Sequence, residues 1–393
     1  MIAEKAAPRI ALLADTFHEV NGAARTCREW QAFATRQRLP FLCVRWGDQP
    51  GVRDEGSLRI LELSRSKHAF RIDTDLHFDL LFHRVIAPIQ GELERFQPDA
   101  IHITSPGDLG ITGAILAARM KIPLALSWHT NLHEFAARRI SHIFAPWLGK
   151  RLSGFAAWKT EKFALGRLCW FFGRGTAIFA PNSELVAMLQ RRTGRPVFPM
   201  GRGIDITLFH PQRRRRGDDA LVLGYVGRLM PEKNLRVLRD VAIELERGGL
   251  ANFRFQITGA GGERPWLQRN LPRAEFTGVL TGEPLARAYA NLDIFLFPSR
   301  TDTFGNVVQE ALASGVPAVV MNSGGPRFIV REGTSGFIAS DESQFCRLAG
   351  RLACDSRLRR EMAIQARRQV EGQTWDRVFE EVYDGYSRLF QGV

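Results

Sequence analysis

Residues 221–246 read LVLGYVGRLMPEKNLRVLRDVAIELE. The apolar run Leu221–Val226 has the length and character of a buried strand. A loop with Gly227, Arg228, Pro231, Lys233 and Asn234 follows, and Leu235–Glu246 then reads as a helix. Strand, loop and helix in that order form one unit of a parallel α/β sheet. The alternation continues toward the C-terminus, with strand-like runs at Phe253–Thr258, Glu275–Thr277, Ile294–Phe297 and Pro317–Val320. Helices are expected at Pro284–Ala290, Val307–Ala313 and Asp341–Ala349, and a last helical region over Arg357–Phe390. Toward the N-terminus the strands are Arg9–Ala14, Pro40–Arg45, Leu58–Leu63, Ala100–Ile103, Ile122–Trp128 and Thr176–Ala180. The helices between them are Ala23–Gln37, Leu81–Phe96, Leu109–Met120 and Ser183–Arg192. The two series are separated by RRTGRPVFPMGRGIDITLFHPQRRRRGDD, residues 191–219, which is rich in Pro, Gly and Arg and reads as a linker. The expected fold class is α/β, two doubly wound domains facing a cleft, divided as 1–198 and 199–373. Residues 374–393 would form a C-terminal helix crossing back to the N-terminal domain. In such sheets ligands bind beyond the strand C-termini, so chemistry is sought in the loops that follow strands.

The 393 residues are 45% hydrophobic and 24% charged, the proportions of an ordinary globular protein and not of a disordered or fibrous chain. No window approaches the ~18 consecutive apolar residues of a membrane span, and the N-terminus reads as a first strand, not a cleavable signal. Five Cys without paired spacing point to a reducing compartment and argue against secretion. Fifty-four basic residues against 41 acidic ones give a net charge of +13, a surface that attracts phosphate, nucleic acid or anionic lipid. Of seven lysines, six precede residue 163 and the seventh is Lys233.

That lysine sits at the mouth of a strand–helix loop, five residues after Arg228. A guanidinium and an ammonium so placed could clamp two phosphates beside a helix N-terminus. A second constellation, Asp302-Thr303-Phe304-Gly305-Asn306-Val307 with Glu310, follows the strand Ile294–Phe297. Its backbone amides over 304–307 could bind hydroxyls or phosphate, and its two carboxylates could accept from a sugar or ribose. Glycine turns at Gly259-Ala260-Gly261 and Gly324-Gly325 follow two more strands, without the spacing of a dinucleotide fingerprint. Asn21-Gly22 after the first strand is either a ligand-facing turn or a plain one. His129, at the end of the strand Ile122–Trp128, is either a cleft residue or a simple hydrogen-bonded histidine. His133 and Glu134 hint at metal, but no ligand set of known spacing accompanies them, so no metal site is expected.

In their order these motifs resemble the retaining GT-B glycosyltransferases of family GT4. The likeness runs through Asn21–Thr26, Trp128-His129-Thr130, Arg202-Gly203-Ile204-Asp205, Gly227–Asn234, Ser299–Leu312 and Gly324-Gly325-Pro326, nearly the whole chain. Its most specific element is a pair of acids with seven residues between them, Asp302 and Glu310. The resemblance implies two Rossmann-like domains, the first binding the acceptor and the second the nucleotide-sugar donor. It implies that Arg228 and Lys233 hold the diphosphate, Glu310 the ribose, and Asp302 with the amides of Phe304, Gly305, Asn306 and Val307 the donor sugar. Gly22 would lie by the phosphates, His129 would face the transferred sugar, and Arg202 would join the donor site. The family usually carries Glu at the first acid, where this chain has Asp302, so sugar preference stays open. The implied reaction moves a hexose from a UDP- or GDP-sugar to a lipid or glycan hydroxyl, and requires no cofactor.

Residues 147–175 interleave Trp147, Phe155, Trp158, Phe163, Trp170, Phe171 and Phe172 with Lys and Arg. Core packing is the expectation for most of these aromatics; peripheral contact with an anionic membrane at the cytoplasmic face is the alternative. The run Arg213–Arg216 is expected to be a solvated linker. Two rival functions are an epimerase or hydrolase of nucleotide sugars on the same architecture and a basic nucleic-acid-binding protein. The first lacks an identifiable base and the second a recognisable reading module. No specific nucleic-acid partner is expected.

Overall fold

The computed structural model describes residues 7–19, 21–73, 76–131 and 158–391. His133, Glu134, Trp147 and Phe155 lie outside them. Two units divide the chain: Met1–Gly201 together with Trp375–Val393, and Arg202–Thr374.

The strands of the first unit are β1 Ile10–Ala14, β2 Phe41–Trp46, β3 Gly51–Glu55, β4 Leu58–Leu63, β5 Ala69–Asp73, β6 Leu76–Asp79, β7 Ala100–Ile103, β8 Leu124–Ser127, β9 Ala177–Ala180 and β10 Val197–Pro199. Eight of them form a sheet in the order β10-β9-β8-β7-β1-β2-β4-β3, and β5 and β6 pair separately. All pairings in the eight-stranded sheet are parallel except β3 with β4, at one edge. A central parallel strand is covered on both faces and is therefore apolar throughout. β1 reads IALLA, with every residue buried. Ile10, Leu12 and Ala14 join one core, while Ala11 and Leu13 join the other. The helix Gly22–Arg36 and the last helix, Trp375–Gln391, pack into the first of these cores: Trp30 stacks on Phe379 with centroids 5.5 Å apart. Burial pushes His102 in this core down to about 3, so a neutral imidazole meets the Tyr386 hydroxyl at 2.5 Å.

The second unit carries β11 Leu221–Val226, β12 Phe253–Thr258, β13 Ala274–Gly278, β14 Ile294–Phe297, β15 Ala318–Met321 and β16 Gly336–Ala339. Their order is β13-β12-β11-β14-β15-β16, all parallel. From β11 the chain winds outward through β12 and β13, then returns to β11's other side at β14. Neighbouring loops therefore leave β11 and β14 in opposite directions, which opens a crevice at that point of the sheet. The first sheet reverses in the same way between β1 and β7.

Several expectations are corrected. The segment expected to be linker from residue 191 contains β10, an edge strand hydrogen-bonded to β9. The Arg213–Arg216 run, with Arg214 and Arg215 exposed, is not only solvated but also ion-paired. Arg214 and Arg216 each pair with Asp293 at 2.8 Å, Arg214 also donates to the carbonyls of Ala290 and Leu292, and Arg213 meets Glu283 at 3.0 Å. The region Arg357–Phe390 is two helices, Ser356–Val370 and Trp375–Gln391, because Glu371–Thr374 leaves the helix. Of the five described aromatics in 158–175, Phe172 is buried and Phe171 packs against the core, while Trp158, Phe163 and Trp170 are exposed. Core packing therefore accounts for only two of the five.

Candidate active site at the switch point of the second sheet

The loop after β11 begins at Gly227 and passes through a single turn of 3-10 helix, Pro231–Lys233, before the helix Val237–Arg247. Proline presets the first residue of that turn, and Asn234 closes it in the left-handed conformation with φ 55°. Two hydrogen bonds tie the loop to its neighbour after β12: Gly227 N to the Thr258 carbonyl at 3.0 Å and Leu229 N to the Ala260 carbonyl at 2.8 Å. The Tyr225 hydroxyl, buried under the sheet's end, donates to the Arg228 carbonyl at 3.0 Å. These bonds hold the backbone while the Arg228 side chain stays half exposed, 3.8 Å from Glu232. An exposed pair at that distance is weak and leaves the guanidinium available.

Lys233 is buried, and its Nζ stands 2.8 Å from both Oδ1 and Oδ2 of Asp302, in the loop after β14. The Ser299 hydroxyl donates to the same carboxylate. Burial alone would raise the Asp302 pKa; the Lys233 ammonium and these hydrogen bonds outweigh it and hold the carboxyl below its usual value. Asp302 is therefore an anion at neutral pH. An ammonium has three protons, so both contacts to Asp302 leave one for a further acceptor.

The loop bearing Asp302 is pressed from behind by the turn after β15. Gly325 N donates to the Asp302 carbonyl at 2.6 Å, and the Ser323 hydroxyl donates to the Arg300 carbonyl at 2.9 Å. A Cβ on Gly325 would stand 2.3 Å from the Thr303 carbonyl oxygen, so no larger residue fits without moving the loop. Gly305 turns the chain into the helix Asn306–Ala313 with φ 103°, a conformation side chains disfavour. That helix has no acidic residue in its first turn, so no carboxylate of its own offsets the positive end of its dipole there. Glu310 is buried further along it and accepts from the Tyr289 hydroxyl at 3.0 Å. Arg202 is buried with its guanidinium 5.9 Å from the centre of the Phe304 ring. Its carbonyl accepts from Gln309 Nε2 at 2.9 Å, and the same amide donates to Gln373 Oε1 at 2.8 Å.

The second unit thus brings Arg202, Arg228, Lys233, Asp302, Phe304, Gly305, Asn306, Val307 and Glu310 onto adjoining loops and the helix they open. Gly22 and His129 belong to the first unit. Gly22 is the first residue of the helix Gly22–Arg36, whose N-cap is Asn21, the side chain of which accepts from Ala24 N at 2.8 Å. His129 follows β8, with its Nε2 2.6 Å from the Ser127 hydroxyl.

The chain matches the family model described as "Glycosyltransferase Family 4" over residues 20–208 and the one described as "Glycosyl transferases group 1" over residues 220–355. A GDP-mannose-dependent alpha-mannosyltransferase of Mycolicibacterium smegmatis is 33% identical over 306 residues, 76% of this chain and 76% of that protein. The chain belongs to the group 1 glycosyltransferases of family 4. The protein of the same description from Mycobacterium tuberculosis is 29% identical to this transferase over 393 residues, 97% of each chain. In fold, the transferase is similar to sucrose-phosphate synthase of Thermosynechococcus elongatus, with a TM-score of 0.71 at 15% identity over 98% of this chain and 100% of that one. The architecture is GT-B, with two Rossmann-like units.

Sequence reasoning missed several residues of this transferase that the structure places beside the expected ones. Ser299 and Gln309, inside the stretch Ser299–Leu312 but given no role there, support Asp302 and Arg202, and Tyr289, outside every motif, supports Glu310. Asp15 is the clearest omission. It follows β1 at the switch point of the first sheet, where its carboxyl group accepts from Leu109 N at 2.9 Å, Gly110 N at 3.3 Å and the Ser105 hydroxyl. Asp108 lies beside it, bound by Trp46 Nε1 at 2.9 Å and Arg65 at 2.8 Å. Burial and the Asp108 charge push Asp15 up to about 8, against the pull of Ser105 and the Leu109 amide. The helix start at this switch point is therefore occupied by the protein's own carboxyls. The sequence signal available for this was an acid closing an apolar strand.

Proposed function

We propose that this glycosyltransferase moves a hexose from a nucleotide sugar, with retention at the anomeric carbon, to a hydroxyl of a lipid or glycan. The observation that carries the reading is the cluster of Arg228, Lys233 and Asp302 beside a helix start without an acid in its first turn, at the second sheet's switch point. Phosphates favour such a place. The corresponding helix start in the first unit is filled by Asp15 and Asp108, which argues for the donor in the second unit and the acceptor in the first. Between UDP- and GDP-sugars, the relatives named as GDP-mannose-dependent alpha-mannosyltransferases favour GDP-mannose.

In this reading Arg228 and Lys233 hold the diphosphate, Glu310 accepts from the ribose, and Asp302 and the amides of Phe304–Val307 meet the sugar. Arg202 stiffens the site through Phe304; the roles of Gly22 at the phosphates and His129 at the transferred sugar rest on the family likeness alone. Cleavage of the anomeric C–O bond leaves the electron pair on the diphosphate, where the two cations stabilise the charge as it develops. The sugar becomes oxocarbenium-like, with Asp302 as a fixed anion nearby. The departing phosphate oxygen takes the acceptor's proton as the hydroxyl attacks from the same face, so the transfer needs no separate protein base and no cofactor. A covalent double displacement would instead need a second carboxylate at the anomeric carbon.

A peripheral site of action at the cytoplasmic face of a membrane fits a lipid acceptor. Among the described residues no helix is long and apolar enough to cross a membrane. The test is nucleoside diphosphate release from UDP-, GDP- and ADP-sugars, with and without a lipid extract, followed by the anomeric configuration of the product. GDP release from GDP-mannose that rises with lipid and gives an α-mannoside supports the reading. Release from no donor, or a β-product, contradicts it.

A further inference from the structure

The helix over residues 158–172 in the first unit buries one face and exposes the other. Cys169 and Phe172 are buried, the latter 5.0 Å from Trp128 between ring centroids, and Leu165, Leu168 and Phe171 pack against the same core. The exposed positions are 158, 159, 162, 163, 166, 167 and 170, continued by 174 just beyond the helix. They recur every three to four residues and form one continuous face. A face turned to water is ordinarily charged and polar. This one carries Phe163, 72% exposed, and Trp170, 53% exposed, together with Trp158, 49% exposed. Lys162 stands 3.9 Å from the centre of the Trp158 ring, and Arg167 and Arg174 flank Trp170 at 4.9 and 4.4 Å. Lys159 is exposed on the same face. The helix has one acidic residue, Glu161, on its flank.

We infer that this face docks the enzyme on an anionic phospholipid bilayer. The composition matches what the headgroup region selects: aromatic rings that sit at the boundary between headgroup and acyl chain, and cations that reach the phosphates around them. The cations are already stacked on the rings, so rings and charges would enter the interface together. The net charge of +13 adds attraction toward an anionic surface before contact. Single-stranded nucleic acid also pairs aromatics with cations, but it is held in grooves that track its backbone, whereas these residues lie along the convex face of one helix. The inference builds on the proposed transfer to a lipid acceptor; its test uses neither donor nor acceptor.

The experiment is co-sedimentation of the full chain with vesicles of phosphatidylcholine alone or mixed with phosphatidylglycerol. Phe163→Ser/Trp170→Ser and Lys162→Gln/Arg167→Gln/Arg174→Gln are compared with the parent, and thermal melting confirms that each folds. The parent should bind the anionic vesicles and not the neutral ones. The cation variant should lose that binding, and the aromatic variant should bind at least about tenfold more weakly at physiological salt. Three results would each overturn the inference: no binding of the parent to anionic vesicles, equal binding by the aromatic variant, or a variant that loses affinity for a single-stranded oligonucleotide instead. Donor turnover on a soluble acceptor, measured in parallel, should be unchanged in both variants. Its absence in the parent counts against the proposed reaction and leaves the vesicle result to stand alone.

Discussion

At the scale of single residues, the pairing of Lys233 with Asp302 reshapes what each can do. Asp302 is one methylene shorter than the Glu the family usually carries, yet it reaches Lys233 with both oxygens at 2.8 Å. The identities of both residues were legible as motif positions. Their contact was not, since it joins loops 69 residues apart through the adjacency of β11 and β14. Asp15 supports a prediction of its own. Its pKa is raised on folding, so the native state binds a proton that the unfolded chain releases near pH 4. That contribution favours folding at low pH and is lost as pH rises from about 4 through about 8. Asp15→Asn keeps an acceptor for Ser105 and Leu109 but cannot ionise beside Asp108. Urea unfolding as a function of pH should show the parent losing stability relative to the variant across that range. The variant should gain on the order of 2 kcal/mol at pH 9, and parallel curves would contradict the account.

At the scale of elements, the helix Asn306–Ala313 does more than present Glu310. Its Gln309 amide ties Arg202, the first residue of the second unit, to Gln373, next to that unit's last residue. Gln309→Leu should cost about 1–3 kcal/mol in denaturant unfolding, because it leaves the buried Arg202 carbonyl and the part-buried Gln373 amide without their donor. Gly325→Ala should destabilise by a similar amount and also slow donor turnover, since the Thr303 backbone must shift to admit the methyl. Normal melting and turnover in that variant would mean the turn does not support the Asp302 loop. The long apolar strands and the helices behind them were legible with bounds close to those observed. Five short strands, β3, β5, β6, β10 and β16, and the helix Arg264–Asn270 were not. β3 is exposed along almost its whole length, so no apolar run marks it. The ion pairs of the Arg213–Arg216 run were not legible, because a charge cluster shows no partner in the sequence until the fold brings one, here Asp293, beside it.

At the scale of the whole molecule, two sheets of one architecture present two different switch points. One is closed by Asp15 and Asp108 over the helix start, and the other offers Arg228, Lys233 and the start of the helix Asn306–Ala313. The alternation of strands and helices made both sheets legible in the sequence, and the family likeness implied a donor site in the second. The electrostatic argument for that expectation needed the structure, because it rests on which carboxyls fold back onto which amides. The measurement that tests the central claim most directly is GDP release from GDP-mannose at subsaturating donor by the parent, Lys233→Ala and Glu310→Gln, each checked for folding by thermal melting. The account predicts folded variants that lose roughly 100-fold or more in turnover, the scale of removing a charge stabiliser or an orienting contact from the transition state. Full activity in either folded variant would contradict it.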